Sequence, residues 1–362
     1  MNRKHPAIAV FIWLVATTLI LTLSVPPAHG YDFEQAINPN RSTSNRNAPS
    51  LDNRITRLKS WERQPAFLEI GMIRDTPLWV FADTTVINVT LGIRKKLFPG
   101  RYKKTMPGQI YHLDVHPMNH RPNMNLLAVF HRNGSKLQST LYEITRAPSR
   151  LTIQRILRRD FRLIRPLDNF LYQQGYDFSI IWRDQFHRLR TGNNNPQMGK
   201  EINLAWRPRL YSLAKQGRTW AGMDVEGNIH VQSTAGRHSM FEGSFGWTPQ
   251  SLEARTDSRE GVPKEPFRIP PVFIGNGTRV AAIYNPPRGS GVQQFFQRSG
   301  GGSEILLFDI GGRSLIHQSS LGPFSGEILD ITVPPLNPNQ LLWLRKNQVG
   351  KTVLEMIDFS EK

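Results

Sequence analysis

Apolar residues recur along this chain in short runs separated by Gly, Pro and Asn. Tyr111-His112-Leu113-Asp114-Val115 alternates, and a polar turn with Pro117, Asn119, Pro122 and Asn123 follows. Leu126 to Phe130 is a continuous apolar run, Asn133-Gly134-Ser135 is a tight-turn signal, and Gln138 to Ile144 alternates again. Alternation puts every second side chain on one face of a strand, and Asn-Gly supplies the positive φ that a two-residue hairpin needs. The stretch therefore predicts antiparallel strands. The rhythm recurs at Phe67–Ile73, Pro77–Ala82 and Thr85–Leu91, and again at Val280–Asn285, Ile305–Ile310, Ser314–His317, Glu327–Val333, Gln340–Leu344 and Thr352–Ile357. Trp220–Asp224 and Ile229–Gln232 flank a Glu226-Gly227 turn and form the clearest hairpin. Leu204–Trp206 and Leu210–Ala214 read as further strands, and Ile55–Glu62 as a strand or a short helix. Thr191–Pro196 reads as a loop and Thr248–Pro266 as a long connection. Leu151–Arg165 admits two readings, a basic amphipathic helix or two strands meeting at Arg158-Arg159-Asp160. One small sheet cannot bury its apolar face alone, so similar sheets must pack on one another.

The stretch from Tyr111 to Ile144 resembles a blade of the FG-GAP/VCBS family, the integrin-alpha-like β-propellers of secreted bacterial proteins. Leu113-Asp114-Val115 matches the strand that enters the family's aspartate-rich calcium loop, and Leu126–Phe130 matches the strand that leaves it. Phe161–Ile164 with Leu171–Gly175, and Ile269-Pro270-Pro271 before Val280–Asn285, fit the same pattern. The resemblance implies an all-β fold, a β-propeller of about seven four-stranded blades, closed where a C-terminal strand pairs with an N-terminal one. It departs from the family where calcium would sit. Pro117, Asn119 and Arg121 replace the spaced aspartates, and Gly275–Thr278 shortens a second loop to a bare turn. Calcium takes six to eight oxygens, several of them anionic, so no calcium and no other cofactor is expected.

Residues 1–30 read as a secretory signal: a basic start at Arg3 and Lys4, an apolar stretch from Ala7 to Val25, and small residues at Ala28 and Gly30. The segment is either cleaved before Tyr31 or kept as a single-span anchor, which would be the chain's one membrane contact. Residues 31–53 are polar and read as a flexible linker, leaving 54–362 for the propeller. The expected location is outside the cytoplasm, periplasmic or extracellular in a bacterium.

Composition narrows the chemistry. The chain has no cysteine, which excludes disulfides, thiol nucleophiles and cysteine-held metals. No Gly-x-Ser-x-Gly elbow and no His-Glu-x-x-His pair occurs, and Gly300-Gly301-Gly302 lacks the Lys-Ser or Lys-Thr of a phosphate loop. Asp224 and Glu226 are too few for a calcium cage. His112, His116, His120 and His131 invite a metal reading, but the Pro- and Asn-rich setting argues for strand and loop, and no metal site is expected. With 46 Lys plus Arg against 28 Asp plus Glu, the formal charge is +18. Such an excess favours acidic partners, or is simply spread over a large surface. The candidate partner-binding residues are Lys95, Lys96, Arg101, Lys103 and Lys104 around a Pro-Gly turn, and Arg155, Arg158 and Arg159 in the arginine-rich stretch. The expected function is a non-catalytic scaffold for a protein partner or envelope component. A polyanion-binding module, for DNA or lipopolysaccharide, and an enzyme using the propeller channel are the alternatives. No residue is assigned to catalysis, and no small-molecule ligand is specified.

Overall fold

The computed structural model describes residues 51–62, 65–92, 102–117, 122–134, 136–146, 151–159, 170–172, 175–182, 185–192, 195–201, 203–206, 213–224, 226–252, 265–285, 302–311 and 315–360. Their regular structure is strand, apart from one turn of 3-10 helix at Leu51–Arg54. The first strand, β1 (Thr56–Trp61), belongs to the last sheet. β2 (Phe67–Ile73), β3 (Thr76–Ala82), β4 (Val86–Leu91) and β5 (Tyr102–Thr105) form an antiparallel meander. The pattern repeats in β6 (Ile110–Pro117), β7 (Met124–Asn133), β8 (Lys136–Arg146) and β9 (Leu151–Arg159). It repeats in β10 (Phe170–Tyr172), β11 (Gly175–Trp182), β12 (Gln185–Gly192) and β13 (Asn195–Glu201). β14 (Leu213–Gln216), β15 (Thr219–Met223), β16 (Ile229–Ser233) and β17 (His238–Phe241) make the next sheet. β18 (Trp247–Leu252) pairs only with β19 (Glu265–Arg268). β20 (Val272–Ile274), β21 (Arg279–Tyr284), β22 (Ser303–Ile310) and β23 (Leu315–Phe324) resume the four-stranded pattern. In the closing sheet β24 (Glu327–Thr332), β25 (Gln340–Lys346) and β26 (Thr352–Asp358) are joined by β1, in the order β1-β26-β25-β24. Thr56 pairs with Met356 and Trp61 with Thr352.

Each sheet buries its apolar faces against its neighbours. Ile73, Leu78, Val80 and Val89 pack on Leu113, Val115, Leu127 and Val129 between the β2–β5 and β6–β9 sheets. Leu68, Ile70, Trp79 and Phe81 meet Leu342, Leu344, Leu354 and Met356 on the other side. Ile283, Ile305 and Leu307 pack on Ile328, Ile331, Leu341 and Trp343. Phe241 and Phe245 close the series against Phe308, with ring centroids 4.8 and 5.9 Å away. β2 touches both β6 and β24, and β14 touches β20, so first strands of successive sheets lie side by side. Radially packed four-stranded meanders closed by the chain's first strand are a β-propeller.

Side-chain amides fasten neighbouring blades where no strand is available to pair. Asn125 accepts the Met72 amide at 3.0 Å and donates to the Met72 carbonyl at 2.5 Å. Asn285 does the same for Ile328, at 3.1 and 2.9 Å. Asp330 accepts the Leu68 amide at 2.8 Å across the closing seam. Gly71 is required beside Asn125, because a Cβ there would lie 2.3 Å from its Oδ1.

The expected count of about seven four-stranded blades is corrected. Among the described residues six sheets are four-stranded, five of them with most of their side chains described, and the remaining sheet is the two-stranded β18–β19 pair. That pair falls where a connection was expected; β14 and β20 touch, so the sheets on either side of it are neighbours. Ile55–Glu62 resolves as strand because β26 offers it an edge to pair with. Leu151–Arg159 is one strand against β8. Leu204–Trp206 is irregular rather than a strand, and the Thr191–Pro196 segment is a tight hairpin whose ladder runs to Gly192 opposite Asn195. Residues 1–50, and with them the signal segment and most of the linker, lie outside the described residues. Among the described residues no helix is long and apolar enough to cross a membrane.

Candidate functional site

A cluster of polar side chains lies on the β14–β17 blade. Asp224 directly follows β15, His230 is the second residue of β16 and His238 the first of β17. The loop from Asp224 to Asn228 folds back on its own carboxylate: Oδ1 accepts the amides of Gly227 and Asn228, both at 2.9 Å. Oδ2 accepts the Asn228 side-chain amide at 2.8 Å and faces Nε2 of His230 at 2.9 Å. Burial pushes the Asp224 carboxyl up, but the hydrogen bonds from His230 and Asn228 outweigh it and hold the group below the usual carboxylate range. An ionised carboxylate accepts only, so Nε2 of His230 donates to it. The Nδ1 of a neutral His230 is then an acceptor, and it faces Nε2 of His238 at 3.0 Å.

The two imidazoles are nearly coplanar, 13° apart, with centroids 5.2 Å from each other. Trp206 stacks on both, at 5.0 Å from His230 and 5.7 Å from His238. It reaches them because Gln232, on the same strand face as His230, accepts the Ala205 amide at 2.6 Å and donates to the Asn203 carbonyl at 3.5 Å. The Trp206 indole Nε1 is buried and meets no hydrogen-bond partner among the described residues. Asp224 is half-buried, His230 buried and His238 exposed, so the chain of contacts runs through a buried imidazole out to the surface. Burial, and then the neighbouring His230, hold the His238 imidazole below its ordinary value.

Arg268 supports the loop from beneath, donating to the carbonyls of Phe245 at 2.5 Å and Glu226 at 3.1 Å. Burial lowers its guanidinium pKa, opposed by the charges of Asp224 and Glu226. Gly227, at φ +94°, permits this approach, since a Cβ would lie 2.4 Å from the Arg268 Nη1.

The basic residues singled out in the sequence fall elsewhere. Lys103 and Lys104 are on β5 and Arg155 is on β9, the outer strands of two neighbouring blades. Lys103 and Arg155 are exposed, whereas Lys104 is half-buried with its Nζ 5.3 Å over the Tyr142 ring of the next blade. Arg158 and Arg159 continue β9, their side chains outside the described set, and Lys95, Lys96 and Arg101 lie outside the described residues. Sequence reasoning missed Arg57 and Lys59, which β1 places on the outer edge of the adjoining closing blade. The outer strands β1, β5 and β9 together carry seven Lys or Arg and no acid. The other outer strands, β13, β17 and β23, hold one Lys and one Glu between them.

Of the candidate histidines, His112 and His116 share one face of β6 with Asp114, whose Oδ2 is 3.1 Å from the His116 Nε2. His131 sits on β7, its ring nitrogens facing the Thr140 hydroxyl at 2.9 Å and the Arg132 carbonyl at 3.1 Å. His120 lies outside the described residues.

No family model matches the chain, and no curated protein matches it. Among solved structures it is similar to BBS1N in complex with ARL6DN, at 13% identity over 82% of this chain and 80% of that one, with a TM-score of 0.41. It is also similar to an alpha-L-arabinanase from Penicillium chrysogenum, at 9% identity over 84% and 96%, TM-score 0.43. BamB from Moraxella catarrhalis matches at 12% identity over 83% and 99%, TM-score 0.40. The expectation that the chain is not an enzyme is corrected here. An alpha-L-arabinanase is among the similar structures.

Proposed function

We propose that the chain is an exported β-propeller that docks an acidic protein partner of the cell envelope through its basic rim. The observation that carries the reading is the asymmetry of charge: seven cations and no acid on the outer strands of three consecutive blades, against near neutrality on the other three. Net charge alone would be a statement about solubility, but confinement to one arc gives a rigid face of one sign, which steers an oppositely charged surface and fixes its orientation. We infer further that the chain descends from the FG-GAP/VCBS propellers with its calcium loops lost, on the loop residues Pro117, Asn119 and Gly275–Thr278.

The test is crosslinking in the native cell, with Lys103, Lys104 and Arg155 replaced together by Ser. A defined protein partner should be captured by the natural chain, and its affinity should fall about tenfold in the triple variant, since exposed ion pairs contribute about 0.2–1 kcal/mol each. Capture of nucleic acid or lipopolysaccharide instead, with affinity falling steeply as salt rises, would replace the protein partner with a polymer. Unchanged affinity in the triple variant would remove the rim from the reading.

A further inference from the structure

His230 and His238 stand apart from the basic rim, on a blade whose outer strand β17 has no Lys, Arg, Asp or Glu. We infer that these two imidazoles form a binding site for a soft monovalent cation, copper(I) by chemical class, which takes the place of the proton they share.

Four observations carry this. First, Nδ1 of His230 and Nε2 of His238 face each other at 3.0 Å with the rings 13° from coplanar, so both lone-pair directions lie along one line. A two-coordinate ion asks for that alignment. Metal–imidazole bonds of about 2 Å require the nitrogens to part by about 1 Å, and His238 can supply the movement because it is exposed at the first residue of an edge strand. Second, Asp224 holds Nε2 of His230 at 2.9 Å, the outer-sphere carboxylate that fixes the tautomer of a ligating histidine and leaves the opposite nitrogen unprotonated. Third, Met240 lies opposite His230 in the β16–β17 register, two residues beyond His238 on the same strand face, and is 45% exposed. Its thioether is a soft donor within the same patch, and thioether with imidazole favours copper(I) over hard divalent ions. Fourth, Trp206 stacks across both rings and offers its π face to a cation held between them.

The same geometry disfavours other metals. Among the described residues no three His, Asp or Glu side chains form a group able to hold a metal ion. Both Asp224 oxygens are already taken, Oδ1 by two amides and Oδ2 by Asn228 and His230. Zinc needs four ligands and calcium at least six, so neither is served by two imidazoles and a thioether.

The experiment titrates the full chain with silver(I), the redox-inert probe, in chloride-free buffer, followed by calorimetry and tryptophan fluorescence. Copper(I) under anaerobic conditions with a competing chelator repeats it. The natural protein should bind one equivalent that quenches fluorescence, and Trp206→Phe should remove that quenching. His238→Ala, at an exposed position that leaves the fold intact, should weaken this site at least about a hundredfold, and Met240→Leu about tenfold. Binding should also weaken as pH falls, because the ion and the proton compete for one lone pair. A silver site whose affinity is the same in His238→Ala as in the natural chain would overturn the inference, as would quenching that survives Trp206→Phe.

Discussion

Replacing Asn285 by Ala tests whether side-chain amides hold the blades together. Asn285 is buried, 1% exposed, and its amide satisfies both the N–H and the C=O of Ile328 on the first strand of the closing blade. Alanine leaves both backbone groups buried without that partner. An orphaned buried polar group costs about 1–3 kcal/mol, so the two together predict a loss of about 2–6 kcal/mol. The assay is urea unfolding, where the midpoint should fall at unchanged slope, joined to hydrogen exchange at the Ile328 amide, which should accelerate with it. Asn285→Asp sharpens the test. Its carboxylate still accepts the Ile328 N–H but opposes the Ile328 carbonyl. The variant should therefore regain stability as pH falls, when the protonated carboxyl can donate. A loss below about 0.5 kcal/mol in Asn285→Ala, with Ile328 exchange unaltered, would refute the reasoning.

Other expectations follow the same physics. Glu355 binds Arg345 through two contacts of 2.6 and 2.9 Å and accepts the Trp343 indole at 3.0 Å, all buried. Glu355→Gln should cost about 3–5 kcal/mol by stranding the Arg345 charge, read as a fall in thermal midpoint, and no change would contradict the network. Gly71→Ala should destabilise by about 1–3 kcal/mol, because its Cβ would meet Asn125 Oδ1 at 2.3 Å and Val115 Cγ1 at 2.7 Å. The folded-state pKa of His238 lies below its ordinary 6.5, so the unfolded chain binds the proton more readily. With metal chelated, its contribution to stability should be complete above about pH 6.5 and lost as pH falls below it, and His238→Gln should flatten that limb of the curve. Asp224, lowered from 3.8, should contribute above that value and be lost below it, seen as a second acid limb.

Much of the fold was legible because blade strands are local. The Trp220–Gln232 hairpin, the Ile305–His317 pair and the three C-terminal strands follow from alternation and glycine turns, and each pairs with its immediate neighbour. The blade number was not legible, because most of β18 and the first half of β19 lie in a polar stretch that reads as a connection, and their sheet stops at two strands. Strand identity is set by residues within reach, but sheet width is set by what packs alongside. The histidine cluster was invisible for a related reason. Asp224, His230 and His238 sit on three successive strands or their ends, and only the register that puts Gln232 opposite His238 and Met240 opposite His230 brings them to one face. Trp206 comes from the preceding connection, where its apolar neighbours suggested a strand. One signal was available: two histidines and an aspartate crowded into a single hairpin and its next strand. The basic residues Lys103, Lys104 and Arg155 were found by charge alone, but Arg57 and Lys59 join them only because β1 is carried to the far end of the chain.

That closure has a kinetic consequence. β1 precedes every blade, yet its pairing partner is β26, the last strand described, so the contact joins segments at the two ends of the strand order. Local meanders form early, whereas this pairing must wait for the whole ring and bears the loop-closure entropy of almost the entire domain. Until then β26 is a bare edge, the cluster around Leu354 and Met356 lacks Leu58 and Trp61, and a second chain's β1 fits that edge as well as its own. The relative order of synthesis and closure therefore sets a window in which strand exchange between copies competes with ring formation, and dilution during folding favours the monomer.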